Sequence, residues 1–481
     1  MISRSLSSLL ASAVVTAAVA SSSVASAQTA PANDVQKKYV VREGVDGIMC
    51  KANGTLKELT NGKYKCYGAA GADKCAASID AAAGKLGKEY LELFGDLLKK
   101  DKDGTHLYKV GCKDFGGADF AEFLAIGGIG YAKSTAQLDA LLALGSPESL
   151  KGMGGEPRAQ LVAALGRFGD AHKAKILPVL KNALAADAKI LGFKQNALKL
   201  MNRFGSDDGV AYCMDVLKSG KDKDNAKVCT WYLGERKAAG AAALFARNFG
   251  DDKKGNARAL SLAGGKDGID VLKEAYEKNA GSAVVLPETA ALANLGDKTH
   301  DYAADLLGMI EGRRPLSLKD RAKKAEELAA KKKNAEEKWQ KREAETQEDI
   351  ARSAAIEATY VTDAALGKKV DEALRATAKK KEWKKASAMA TAALAQRGDK
   401  AAAAELVGLL GSNDKEAREI AVSALGASYD VPQAFLEYVG RKGFVPEASA
   451  PAALLKYIES ESNEGLRIKA LNALGAVRSG L

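Results

Sequence analysis

ALAQRGDKAAAAELVGLL, residues 393–410, sets a Gly-Asp pair between two runs rich in alanine and leucine, and ALANLGDKTHDYAADLLGMI, residues 291–310, repeats the device. Glycine ends a helix because it enters the left-handed region after the last turn without a Cβ penalty. Aspartate then accepts the free N–H groups that open the next helix. The pair therefore reads as a stop and a start in two residues, which makes a helix hairpin. Related turns are read at Gly169-Asp170, Gly205-Ser206-Asp207 and Gly234-Glu235. Separations of roughly 30 to 40 residues between such turns are typical of helical-repeat solenoids. One such hairpin cannot bury its apolar face alone, so stacking on neighbours is obligatory.

A sharper signature lies in the second helix of several hairpins. EAREIAVSALGA carries Arg418, Ala421, Ala424, Leu425 and Gly426, and GLRIKALNALGA carries Arg467, Ala470, Ala473, Leu474 and Gly475. EPRAQLVAALGR keeps the spacing with Arg158, Leu161, Ala164, Leu165 and Gly166, while Glu288 puts an acid where the arginine would stand. Small residues three apart let a neighbouring helix approach closely. These segments resemble HEAT-like repeats, in particular the short subclass named for phycobilisome lyases, over about 134–312 and 386–481. The resemblance implies an α-solenoid that serves as a protein-binding scaffold, and, for some members, handling of bilins. Arg158, Arg418 and Arg467 are then candidate partner-binding residues on the face lined by the second helices, unless they bridge neighbouring repeats.

The N-terminus has a different logic. Residues 1–27 hold one charge, Arg4, then an apolar stretch from about Leu9 to Ala20 and the Ala25-Ser26-Ala27 triplet. That is the pattern of a secretory signal peptide cleaved after Ala27, which predicts a periplasmic or extracellular protein. No later segment approaches the roughly 20 apolar residues that span a bilayer. Export makes disulfides the expectation for the six cysteines. Cys213 is expected to pair with Cys229. Four more, Cys50, Cys66, Cys75 and Cys112, allow three pairings, of which Cys50–Cys66 with Cys75–Cys112 is the one expected here. They fall in residues 28–133, where Asn53-Gly54 and Asn61-Gly62 punctuate β-prone pieces as hairpin turns do. A small α+β module pinned by disulfides fits that stretch.

Between the two repeat blocks, residues 313–385 read as a long charged helical insertion. Pro315 and Ser317 suit a helix start, acids and bases interleave, and Leu318, Leu328, Trp339 and Ile350 leave only a narrow apolar stripe. Two basic clusters carry a tryptophan: EEKWQKR around Trp339, and AKKKEWKKA with Trp383, Lys384 and Lys385. Indole rings flanked by ammonium groups can stack on a sugar or base while the charges meet phosphates or carboxylates. The chain's net charge is +11, of which the leader's Arg4 supplies one, leaving +10 on the mature protein. That excess favours acidic partners such as anionic glycans, lipid head groups or nucleic acid.

No catalytic set emerges, and no cofactor or metal site is expected. There is no Gly-x-Ser-x-Gly, the three histidines stand in no recognisable motif, and GGIGYAK and GMGGEP lack the Gly-Lys-Ser/Thr ending of a phosphate loop. Asp207-Asp208 and Asp251-Asp252 sit where helix capping explains them. DKDGTH, residues 101–106, lacks the later acids of a calcium loop. The sequence thus points to a non-enzymatic scaffold, with anionic-polymer binding and a bilin-lyase activity as the alternatives.

Overall fold

The computed structural model describes residues 126–474, apart from 128, 131–132, 187–192, 280–286, 317, 428–447, 464, 468 and 471–472. The leader, nearly all of the expected α+β module, Cys50, Cys66, Cys75, Cys112 and the 101–106 loop lie outside the described residues. Those that are described are mostly helical. Among them no β-strand occurs, and Arg313 and Thr346 form an isolated bridge.

The chain divides into two compact units, residues 1–204 with 451–481, and residues 205–450. The first holds α1 (Leu138–Leu144), α2 (Pro147–Gly152), α3 (Gly155–Arg167), α4 (Lys173–Ala185) and α5 (Phe193–Arg203). Helix α5 packs on both α3 and α4. The run Leu161 to Leu165 in α3 is buried throughout, and Gly130 lies so close to it that a Cβ there would sit 2.6 Å from the Ala164 Cβ.

The second unit holds α6 (Val210–Ser219), α7 (Lys223–Glu235), α8 (Ala241–Arg247), α9 (Lys253–Ala263), α10 (Ile269–Asn279), α11 (Pro287–Leu295) and α12 (Tyr302–Ile310). After them come α13 (Leu318–Ala329), α14 (Ala335–Ala344), α15 (Glu348–Ala358), α16 (Ala364–Ala378), α17 (Lys384–Gln396), α18 (Lys400–Gly408) and α19 (Lys415–Ala427). Helices α7, α9, α11, α15, α17 and α19 each touch the next in that order, and each also packs on its own partner, α6, α8, α10, α12, α16 or α18. Composition explains the two roles. KASAMATAALAQ in α17 is small and apolar all round, and Ala386 and every residue from Ala388 to Gln396 is buried. A helix without a polar face belongs inside. Its partner α16 is two-faced: Leu366, Val370 and Leu374 are buried, whereas Lys368, Lys369 and Glu372 are exposed.

The glycines of the expected turns take the expected conformation at four places. Gly169, Gly205, Gly296 and Gly398 have φ of 71°, 70°, 70° and 96°, the region open to glycine. Asp399 caps α18 by accepting from the Ala402 N–H at 3.1 Å. At Gly296-Asp297 the capping acid stands further along the chain, Asp301 on α12, whereas at Gly169-Asp170 and Gly205-Ser206-Asp207 the expected cap is corrected: the N-caps of α4 and α6 are His172 and Gly209, and neither makes a side-chain capping bond. Elsewhere Asp222, Asp252 and Asp363 cap α7, α9 and α16. The reading of Gly234-Glu235 as a turn is corrected. Gly234 lies inside α7 and is buried against α9, where a Cβ would approach the Ala259 backbone to 3.2 Å. That turn is made instead by Lys237 and Gly240, both at positive φ.

The expected single long helix of 313–385 is also corrected. The segment is helical but broken into four pieces, because Lys331 and Asn334 take positive φ and end α13 after Ala329. Helices α13 and α14 form a hairpin inserted between α12 and α15, while α15 and α16 join the stack. The hairpin's two ends meet at its base, where the Gln347 N–H donates to the Gly312 carbonyl at 2.9 Å.

Successive hairpins are stitched at their ends. The last carbonyls of a helix lack partners within it, and side chains one repeat later supply donors. Asn182 donates to the Gly145 carbonyl, Arg203 to Gly166, Arg247 and Asn248 to Leu217, and Asn294 to Ser261. Arg397 reaches the carbonyls of Ala358 and Val361 and pairs with Asp371. The disulfide expected between Cys213 and Cys229 is present, and it ties α6 to α7 with both residues fully buried.

Candidate functional site

The second helices were the expected lining of a partner-binding face, yet burial leaves them little free surface. In α7 the residues Val228 to Gly234 are all buried, as are Gly255 to Leu262 in α9 and Pro287 to Ala293 in α11. Free surface in residues 205–450 is offered instead by the outer faces of the partner helices, the inserted hairpin and the loops at the helix ends. The two signature arginines Arg158 and Arg418 act alike and locally. Arg158 Nη2 donates to the Lys151 carbonyl at 3.2 Å, and Arg418 Nη1 to the Ser412 carbonyl at 3.0 Å. Each closes the loop that leads into its own helix. Arg467 is half-buried, and its backbone N–H donates to the Asn463 carbonyl at 3.0 Å.

Trp339 does not present a stacking face. It is 1% exposed and forms the centre of the α13–α14 hairpin, with its indole Nε1–H donating to Glu327 Oε2 at 2.9 Å. Lys338 and Arg342 lie over its ring, 4.9 and 5.4 Å from the centroid, and Lys338 also pairs with Glu327. The cations around this tryptophan therefore serve the hairpin itself: Lys324 pairs with Glu343 and Arg342 with Asp320.

A cluster that the sequence did not single out holds this hairpin to the stack. Arg321 of α13 donates to Asp305 Oδ2 of α12 at 2.8 Å and to the Tyr276 hydroxyl of α10 at 2.9 Å. Asp305 Oδ2 also accepts from the Tyr276 hydroxyl at 2.7 Å and meets His300 Nε2 at 2.8 Å. Arg321 Nη1 also lies against the imidazole, 2.9 Å from His300 Nδ1 and 2.6 Å from Nε2. Burial, followed by the Asp305 charge, holds the Tyr276 hydroxyl above its usual pKa. One carboxylate oxygen thus gathers the Arg321 and Tyr276 donors and the edge of the His300 ring. The cluster is satisfied within itself and works as a latch. No single-sequence signal links residues 276, 300, 305 and 321, because they lie on three helices and a turn.

Trp383 differs from Trp339. It is half-buried at the start of α17, with the Lys380 ammonium 3.8 Å from its ring centroid. Its far edge rests on Gly312, where a Cβ would fall 2.5 Å from Cη2. That contact brings Arg313 and Arg314 beside the lysines of 379–385. Lys384 lies 4.0 Å from Asp414 and Lys385 2.7 Å from Glu416, so both answer acids at the entrance to α19.

The deepest charges belong to α9, α11 and α15. Arg258 and Glu357, 3% and 7% exposed, pair at 2.7 and 3.0 Å through two nitrogens, with the Tyr360 ring 5.0 Å from the guanidinium carbon. Burial opposes the Arg258 charge, and the Glu357 carboxylate more than offsets it, raising the pKa above the usual arginine value. Glu288 is 3% exposed and its Oε2 has no hydrogen-bond partner among the described residues. Burial first, and the Glu357 charge after it, raise its pKa. Among the described residues no three His, Cys, Asp or Glu side chains converge as metal ligands would, and no helix is long and apolar enough to cross a membrane. No protein-family model matches the chain, and no curated protein matches it significantly.

Proposed function

We propose that the protein is a non-enzymatic scaffold of the cell envelope or exterior, an α-solenoid of HEAT-like hairpins that binds a protein partner. The observation carrying this reading is the unbroken series α7, α9, α11, α15, α17, α19, each helix packed on the next. Stacked repeats of this kind offer extended surfaces for partners. Because that series is buried, the reading puts partner contact on the helix-end loops and the outer faces of the partner helices rather than on the second helices themselves. The disulfide engages Cys213 and Cys229, so a bilin-lyase activity would find no free thiol at either.

The test is crosslinking in native envelope with the mature chain and with a version in which a short Gly-Ser link replaces residues 318–344, at low and moderate salt. One partner protein recovered with both versions at moderate salt is expected. Failure to recover any protein reproducibly with either version would overturn the scaffold reading.

A further inference from the structure

We infer that the surface around Trp383 binds an acidic segment of a protein partner, an inference that rests on the scaffold reading above. Two sequence-distant basic groups meet there: Arg313-Arg314 before the inserted hairpin, and Lys379, Lys380, Lys381, Lys384 and Lys385 at the entrance to α17. The Trp383 edge on Gly312 holds them together. Part of this charge is answered. Arg313 pairs with Glu311, Lys384 and Lys385 face Asp414 and Glu416, and Lys380 donates to the Glu311 carbonyl at 3.2 Å. Arg314, Lys379 and Lys381 are exposed, and none has a carboxylate partner among the described residues; Arg314 reaches only the Gln347 amide oxygen, at 3.5 Å. The one acid within 379–385 is Glu382.

The other basic stretch on this unit, Lys331-Lys332-Lys333 at the hairpin tip, is followed at once by Glu336 and Glu337 and preceded by Glu326. The tip therefore sets three lysines against Glu326, Glu336 and Glu337, whereas the Trp383 surface keeps an excess of bases, its seven cations standing against Glu311, Glu348, Glu382, Asp414 and Glu416. The geometry also selects among anionic partners. Base or sugar stacking needs an open indole face, but Trp383 has one edge on Gly312 and the Lys380 ammonium over its ring. A lipid surface would be met by exposed apolar residues beside the charge, but the exposed large apolar side chain among the described residues is Leu328, on the hairpin. Carboxylates on an extended chain require only ammonium and guanidinium groups in reach, and these are present.

The test is binding of a fluorescein-labelled deca-glutamate peptide to the mature full chain, followed by anisotropy at two salt concentrations. Arg314→Gln/Lys379→Gln/Lys381→Gln is compared with Lys331→Gln/Lys332→Gln/Lys333→Gln, which removes the same charge from the tip. Expected are a loss of at least about tenfold in affinity with the first variant, less than about twofold with the second, and weakening as salt rises, because contacts between exposed charges are screened over about 8–10 Å. Equal losses in both variants would show general charge attraction and overturn the site. So would no binding to the wild-type chain, or tighter binding of a sulfated glycan or phosphatidylglycerol vesicles that depends on the same three residues. A partner still crosslinked by the Arg314/Lys379/Lys381 variant would leave the scaffold reading standing while this surface failed.

Discussion

Glu288 stands near the start of α11 where Arg158 and Arg418 stand in α3 and α19, and it is buried with one oxygen unanswered among the described residues. Since burial raises its folded pKa above the unfolded value, the folded state holds this proton more tightly, and the group costs stability as pH rises through that range. Glu288→Gln keeps the shape and removes the charge. It should stabilise the protein at pH 7 by about 1–3 kcal/mol, the usual cost of a buried group left unsatisfied, and the gain should shrink on acidification. Denaturant titrations at pH 7 and at acidic pH check this; a gain that is equal or larger at low pH contradicts it. Beside it, Arg258 and Glu357 form a buried bidentate pair. Removing one partner leaves the other charge uncompensated and should cost about 3–5 kcal/mol. Arg258→Met/Glu357→Leu should recover most of the loss incurred by Arg258→Met alone. Additive losses in the same titration would show that the pair's charge is not what matters.

At the scale of elements, hairpin α6–α7 owes part of its rigidity to the Cys213–Cys229 bond, which closes a loop with a sequence separation of 16. Cross-linking a loop of that length stabilises by about 3 kcal/mol, chiefly by restricting the unfolded chain. Cys213→Ala/Cys229→Ala should lower stability by about that amount and lose the share of reductant sensitivity that this bond contributes, as read by thermal unfolding of both proteins with and without a thiol. Gly398 and Asp399 show how much of an element is local. Both the positive φ of Gly398 and the cap from Asp399 to Ala402 N–H follow from residues within one turn, so the hairpin is legible in the sequence. That N–H bond is the main cause of the lowered Asp399 pKa. Its contribution is thus present above the unfolded carboxylate range and is lost as pH falls through the folded value. Asp399→Ala should cost about 1 kcal/mol, measured at neutral pH and fading on acidification. Gly234 shows the opposite case. A glycine before an acid looked like a turn, and only the approach of α9 explains why it is needed inside α7.

At the scale of the molecule, the inserted hairpin is attached by its meeting ends and by the Arg321 latch. Because Arg313 bridges Thr346, a short link can close the gap at small entropic cost. Replacing residues 318–344 should leave helicity per residue of the remainder and cooperative unfolding nearly unchanged by circular dichroism. Collapse of the helical signal would make the hairpin part of the core. By itself the sequence determined the helical character, the glycine turns at Gly169 and Gly296, the full stop-and-start turn at Gly398-Asp399, and the Cys213–Cys229 pair. These depend on backbone and capping chemistry acting within a turn or on cysteines in adjacent helices. Only the tertiary structure decided that the second helices are buried nearly all round, that Trp339 is a hairpin core while Trp383 sits on a basic surface, and that Arg321 latches Asp305. It also decided that Arg258 finds Glu357, a partner 99 residues away. Those outcomes depend on which surfaces meet and which charges lose water, and residues brought together from distant parts of the chain leave no periodicity from which to read them.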